Sequence, residues 1–200
     1  MVPPTLTLGQ YMRFLLLTCF SLLSLNVFAD WTLDSQKSEL TFNTTKNAAV
    51  TETHHFSDFN GSIKPDGTAQ LTINTATVQT NIDKRDQRLR DLFFKVANFP
   101  ESNIRLSIPK DILTAQKAGT QKLLETNAQI SLVGKTVNKA VTLNVTYIAK
   151  DQVEVSSGMA VVLDVKEFGL LAGLNKLKNL AGLKSIDETV PVSFKLIFTK

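Results

Sequence analysis

Cysteine is nearly missing from this chain: one in 200 residues, beside two histidines, one tryptophan and two tyrosines. A single thiol excludes an internal disulfide and any zinc site built on several cysteines. Nine glycines and six prolines are too few for a collagen-like or low-complexity polymer. An excess of one charge is also lacking. The 22 basic and 18 acidic residues give +4, and the basic ones are scattered, so composition does not point to nucleic acid as a partner. With 43% hydrophobic and 20% charged residues, the chain is an ordinary globular sequence, of a length for one domain or two small ones.

One long apolar run stands apart. Residues 14–28 (FLLLTCFSLLSLNVF) have the length of a secretory signal core and are short for a membrane span. Arg13 precedes the run, and Val27 and Ala29 sit at the −3 and −1 positions of a cleavage site. Residues 1–29 are therefore expected to be a signal peptide, with Asp30 first in the mature chain. Met12 is a more natural start than Met1, which would make residues 1–11 a start-site artefact. Lipidation at Cys19 fits less well, because Thr18 is bulky for that signal and the apolar run continues past the cysteine. Removing 29 residues from 200 leaves a 171-residue domain, 30–200, of formal charge +3 and without cysteine. Such an exported domain depends on its core and its sheet, with no covalent staple.

Within that domain the dominant period is two. Leu40, Phe42 and Thr44 alternate with polar residues, as do Leu71, Ile73 and Thr75, then Ile104, Leu106 and Ile108, then Ala128, Ile130 and Leu132. Val141 to Tyr147, Met159 to Val165 and Val190 to Phe198 repeat the pattern. Alternation means one buried and one solvated face, the antiparallel signature. Turn signals at Asn60-Gly61, Pro65-Asp66-Gly67, Ala118-Gly119 and Ser157-Gly158 separate the runs. Eight or nine strands in so short a chain predict a sandwich or a closed barrel.

Two segments break the period. In residues 81–96, Leu89, Leu92, Phe93 and Val96 recur at helical spacing among basic residues, predicting a helix over about 82–96 capped by Asn81 or Asp83. In residues 168–185, Leu170, Leu174, Leu177 and Leu180 form an apolar stripe beside Lys176, Lys178 and Lys184, while Gly169, Gly173 and Gly182 weaken it as a helix.

Catalytic chemistry is sparse. His54 and His55 are adjacent, so on a strand they face opposite ways and cannot share a metal; one packed and one exposed imidazole is the expectation. No G-x-S-x-G elbow and no glycine-rich phosphate loop is present. Asp34, Asp58 and Asp66 fall near turns, where aspartate caps backbone groups. Arg85-Asp86 favours the start of a helix, with a polar rim for a ligand head group as the functional alternative.

The stretch Leu71 to Leu106 closely resembles the YceI-like family, through Thr77-Val78-Gln79-Thr80, Arg85-Asp86, Leu89, Phe93-Phe94 and Pro100. Residues 56–63 (FSDFNGSI) are similar to the family's F-x-x-F-x-G-x-I segment, residues 130–134 (ISLVG) to its L-T-L-x-G turn, and residues 167–170 (EFGL) to its D-F-G-I element. The resemblance runs in order from Trp31 to the C-terminus. Departures are Arg88 where the family usually has histidine, His54 where it usually has glycine, and Lys139-Ala140-Val141 in place of K-P-V. They put in doubt a head-group contact through the missing histidine, but not the fold.

The resemblance implies a mainly β protein: an extended eight-stranded antiparallel, lipocalin-like barrel with one helix and a short amphipathic helical insert. It further implies a periplasmic protein that binds a polyisoprenoid lipid, an isoprenoid quinone or a similar amphiphile in an apolar tunnel; with catalytic groups so sparse, a non-enzymatic protein without metal or other cofactor is the leading expectation. An eight-stranded barrel is about the smallest that can hold one ligand, although such a barrel can also be packed solid with side chains. Alternation assigns Phe42, Phe56, Ile73, Leu106, Leu132, Leu143, Val161 and Phe194 to the lining, with Phe93 and Phe94 closing one side. Arg85 and Asp86 are the candidate rim. Phe168, Leu170, Leu174 and Leu177 belong to a candidate lid that contacts a membrane transiently. The rival readings are a lipid- or quinone-linked enzyme, and an interaction protein using residues 168–185.

Overall fold

Eight strands, each beside the next in sequence, wind into a closed antiparallel barrel in the computed structural model, which describes residues 30–114 and 117–200. The expected leader, 1–29, lies outside the described residues. Each of the first three strands is interrupted and runs in two segments. β1 comprises Trp31–Leu33 and Glu39–Lys46, β2 Val50–Phe56 and Phe59–Ile63, and β3 Thr68–Asn74 and Val78–Gln79. β4 is Glu101–Ser107, β5 Gln121–Leu132 and β6 Lys135–Ala149; β7 joins Gln152–Ser157 and Val161–Asp164, and β8 is Thr189–Thr199. β8 returns to β1, with Thr32 opposite Thr199 in the lower half and Phe42 opposite Val192 in the upper, so the main ring has no free edge.

The interruptions are built from short polar side chains. Ser38 Oγ donates to the Asp34 carbonyl at 2.7 Å, and Thr77 Oγ1 to the Asn74 carbonyl at 2.8 Å. Thr75, 1% exposed, reaches from the break in β3 to the Pro100 carbonyl at 2.9 Å. Between β5 and β6 the two residues Val133 and Gly134 turn with φ of 48° and 75°, the left-handed pair that matches strand twist in a tight hairpin. β6 shows the expected alternation most plainly: Val141, Leu143, Val145 and Tyr147 are all buried.

The two ends differ. At the lower end Trp31, Ile63, Ile112 and Tyr147 are buried, the Tyr147 hydroxyl donates to the Ile112 carbonyl, and the Lys200 ammonium lies 4.7 Å from the Trp31 ring centre. Ile112 belongs to a short helix, α2 (Lys110–Leu113), that the sequence pattern did not indicate. At the upper end, α1 (Asp83–Arg88) runs into π-helical turns over Leu89–Phe94, and α3 (Leu171–Leu180) packs beside them.

Several sequence expectations shift in detail. The helix expected over 82–96 is α-helical only to Arg88, and Lys95, at φ 52°, ends it in the left-handed region. Its N-cap is Ile82 without a side-chain cap, because Asn81 itself is left-handed at φ 63°. Ile108 lies one residue beyond β4, and Met159 stands 77% exposed in the break of β7 instead of in a strand. The insert forms a regular ten-residue helix. Gly169 and Gly182 flank it rather than weaken it, while Gly173 is inside because a Cβ there would meet the Leu92 carbonyl oxygen at 2.8 Å.

Candidate functional site

Inward-facing residues of all eight strands surround a cavity of about 250 Å³ that continues from the α1/α3 end towards the lower plug. On β8 its wall extends from Val190 to Phe198, eight residue steps and so about 26 Å of strand. A cavity of about 150 Å³ with apolar walls already stays dry and takes up benzene. The barrel is thus hollow, not packed solid. Its wall is apolar except for Thr41, Thr44, Gln70, Thr75, Ser102 and Asp187.

Phe42, Phe56, Ile73, Leu106, Leu132, Leu143, Val161 and Phe194 all stand in this wall. Phe93 and Phe94 do so from the π-helical turns, their rings edge to face at 5.1 Å. Phe56 bridges Phe42 and Phe94, with ring centres 5.4 and 5.7 Å away. These aromatic contacts join the main barrel core to a second apolar cluster under α1 built on Phe42, Val78 and Phe94. Phe168, Leu170, Leu174 and Leu177 also line the cavity. α3 therefore presents Leu174 and Leu177 to the interior and covers the upper end.

Arg85 and Asp86 stand elsewhere. Neither lines the cavity, because both side chains are engaged in holding α1 to the barrel. Buried Asp86 accepts from the Thr80 N–H at 2.9 Å and from the Thr80 hydroxyl. Arg85 donates from Nε to Thr80 Oγ1 at 2.7 Å, from Nη2 to the Thr80 carbonyl at 2.5 Å, and from Nη1 to Glu52 Oε2 at 2.7 Å. Lys46 Nζ meets that same carboxylate oxygen at 2.7 Å. The ammonium of Lys46, with the guanidinium of Arg85, holds the Glu52 carboxyl below its usual range against the opposing effect of burial. A rim role for Arg85-Asp86 is replaced by a structural one.

The histidines divide as their adjacency requires: His55 is exposed and His54 is 3% exposed. His54 Nε2 and Thr44 Oγ1 share a hydrogen bond of 2.9 Å, and the imidazole packs at 5.2 Å against Phe42. Burial first, and the Arg85 charge next, push its pKa below the ordinary value. Two of the turn aspartates behave as caps, Asp34 accepting from Lys37 N–H at 3.3 Å and Asp66 from Thr68 N–H at 2.8 Å, whereas Asp58 accepts from the side-chain Nδ2 of Asn74 at 2.9 Å.

The wall residues that sequence reasoning missed include Thr41, Thr44, Gln70, Leu89, Ser102, Ile186 and Asp187. Thr44 continues the alternation of Leu40 and Phe42, so its face was legible although its polarity hid it. Asp187 carries no such signal. It precedes β8, and its N–H donates to the Thr45 carbonyl at 2.9 Å, which brings it to the mouth.

A closed, eight-stranded antiparallel meander around an apolar tunnel is the architecture of a small-ligand-binding barrel. The sequence profile of the YceI-like domain matches residues 31–198, and the chain belongs to that family. Among solved structures it is similar to a polyisoprenoid binding domain from Saccharophagus degradans implicated in plant cell wall breakdown, with 31% identity and a TM-score of 0.82 over 84% of this chain and 97% of that one. BcnA of Burkholderia cenocepacia shares the fold at 16% identity and a TM-score of 0.65, over 82% of this chain and 98% of that one. A YCEI protein of Campylobacter jejuni does so at 13% identity and 0.54, over 74% and 84% of the two chains. No curated protein matches the sequence.

Proposed function

We propose that this chain is a non-enzymatic carrier or sequestering protein for an isoprenoid lipid or a similarly long amphiphile. The observation that carries the reading is the continuous apolar tunnel. Its walls offer a long hydrocarbon a water-free path and offer a charged substrate very little. Each CH₂ transferred from water contributes about 0.8 kcal/mol, so the chain supplies most of the affinity and the head group mainly the selectivity. The likeness at 31% identity to a polyisoprenoid binding domain supports the same class of ligand. A signal peptide over 1–29 accords with work outside the cytoplasm, in a periplasm, where insoluble lipids must cross water between membranes.

Native mass spectrometry of the protein purified from its own host, followed by extraction and identification of bound lipid, tests the reading. A stoichiometric isoprenoid or long amphiphile is expected, on a chain beginning at Asp30. Protein that emerges empty and takes up no long-chain lipid when offered it would overturn the carrier reading. A lipid-modified Cys19 at its N-terminus would overturn the processing.

A further inference from the structure

We infer that lipid passes between the barrel and a membrane sideways, through a seam between the upper halves of β6 and β7 that residues 165–170 close as a strap. The inference rests on the carrier reading and adds to it the route of the cargo and the surface that meets the bilayer. β6 and β7 pair only in their lower halves, from Gln152 opposite Ala149 to Ser157 opposite Leu143. Gly158 N–H then donates to the Thr142 carbonyl at 3.3 Å. Above that bond β7 breaks, and its upper segment, Val161–Asp164, pairs with β8 alone. Among the described residues, no backbone hydrogen bond crosses from residues 135–141 of β6 to β7 or to the strap. The tunnel lies directly behind the seam. Val141 on one side, Val161 and Leu163 on the other, and Val165, Phe168 and Leu170 of the strap all stand in its wall.

The strap is fastened unequally. Towards β8, Val165 N–H donates to the Glu188 carbonyl at 2.9 Å, and Lys166 pairs with the Glu188 carboxylate. Its own turns bond Glu167 N–H to the Asp164 carbonyl at 3.1 Å and Leu170 N–H to the Val165 carbonyl at 2.9 Å, so it moves as a unit. Towards β6 the polar tie among the described residues is one side-chain ion pair, Lys139 Nζ to Glu167 Oε2 at 2.7 Å. A partly exposed pair of this kind is weak and parts before a backbone ladder does. β3 also leaves β4 above Asn74, but there Val78, Phe94 and Leu132 pack together and buried Asp86 holds Thr80. Opening the strap in water would expose its buried Val165, Phe168 and Leu170, a hydrophobic cost that keeps it shut. Against a bilayer, acyl chains receive those side chains and the cost falls away. The outer flank suits that contact: Met159, 77% exposed, and Val162, half exposed, stand beside the seam on β7, with exposed Ala140 on β6.

Residues 30–200 hold no cysteine, so an introduced pair is unique. Lys139→Cys with Glu167→Cys, joined by a short bis-methanethiosulfonate linker that a reductant removes, locks the strap to β6. A second tether, Asp91→Cys with Lys176→Cys across the groove between the π-helical turns and α3, locks α3 instead. Each protein is loaded with a fluorescent long-chain lipid, and its transfer to phosphatidylcholine vesicles is timed. The strap lock should slow transfer by about tenfold or more, with recovery on reduction, while the α3 tether changes it by less than about twofold. Glu167→Gln should speed transfer by about two- to fivefold, as loss of a surface ion pair allows, at unchanged equilibrium loading. Met159→Glu with Val162→Glu should slow transfer to vesicles and leave transfer to a soluble cyclodextrin as it was. Transfer indifferent to the strap lock, or stopped by the α3 tether alone, overturns the inference while the carrier reading stands. So does a Glu167→Gln protein that transfers at the wild-type rate. Wild-type protein that takes up no long-chain lipid at all overturns both.

Discussion

Phe56 and Phe194 face the same tunnel from strands far apart in sequence, and Phe56 also ties the barrel core to the cluster beneath α1. A carboxylate at either position would sit against hydrocarbon with no partner, a cost that neutralisation or local opening must relieve. Phe194→Asp is expected to lose lipid loading by at least tenfold before the fold is lost, and Phe56→Asp to lose loading and stability together. Bound lipid per protein, measured beside the thermal midpoint, checks both. Full loading of both variants at wild-type stability would put the ligand outside this cavity. His54 makes a second prediction. Its folded pKa is depressed, by burial first and then by Arg85 with a smaller push from Lys46, against Glu52 and Asp86. The unfolded chain, titrating near pH 6.5, therefore takes up the proton first. The stabilisation is complete above about pH 6.5 and declines as pH falls towards the folded pKa. Urea midpoints should drop between pH 7.5 and 5.5 in the wild type and less in His54→Leu. Equal slopes would show that His54 is not the group titrating.

Among the elements, the strands were legible because each inward position meets one shared apolar interior, so Val141, Leu143, Val145 and Tyr147 had to alternate. The π-helical turns were not, since they depend on Lys95 turning left-handed and on α3 lying close enough that Gly173 almost touches Leu92. Asp86 and Thr80 look unrelated along the sequence and become partners only when the helix folds back over the end of β3. In the same way, alternation could place His54 on a face but could not show that its Nδ1 lacks a partner. For α3 the structure narrows the choices. Its Leu174 and Leu177 already line the tunnel, while Lys176 and Lys184 are exposed, Lys178 is half-buried and Leu180 is 48% exposed. Basic side chains around a partly exposed apolar helix end favour anionic lipid surfaces. Replacing Lys176, Lys178 and Lys184 with Gln should slow lipid exchange with anionic vesicles several-fold and leave equilibrium capacity unchanged. Exchange rates indifferent to these substitutions and to added salt would make α3 a static cap.

For the molecule as a whole, a hollow barrel without disulfides gains most of its reserve from what it contains. The described strands close on themselves, and the lower end is sealed by Trp31, Ile112 and Tyr147, so a ligand entering at the upper end would contact β1 through β8 at once. Opening the sheet would expose both the wall and the ligand's tail, which couples occupancy to global unfolding instead of to one loop. A ligand bound only by the native state stabilises it by about 2.7 kcal/mol when present at 100 times its dissociation constant. For a domain of this size each kcal/mol moves the thermal midpoint by about 2–4 °C. Lipid-loaded protein should therefore melt roughly 5–10 °C above the same protein after delipidation, in a single transition, and reloading should restore the difference. Calorimetry of the three samples at one concentration checks this. Midpoints that coincide, with lipid present in the loaded sample at that excess, would mean that the lipid does not occupy the barrel.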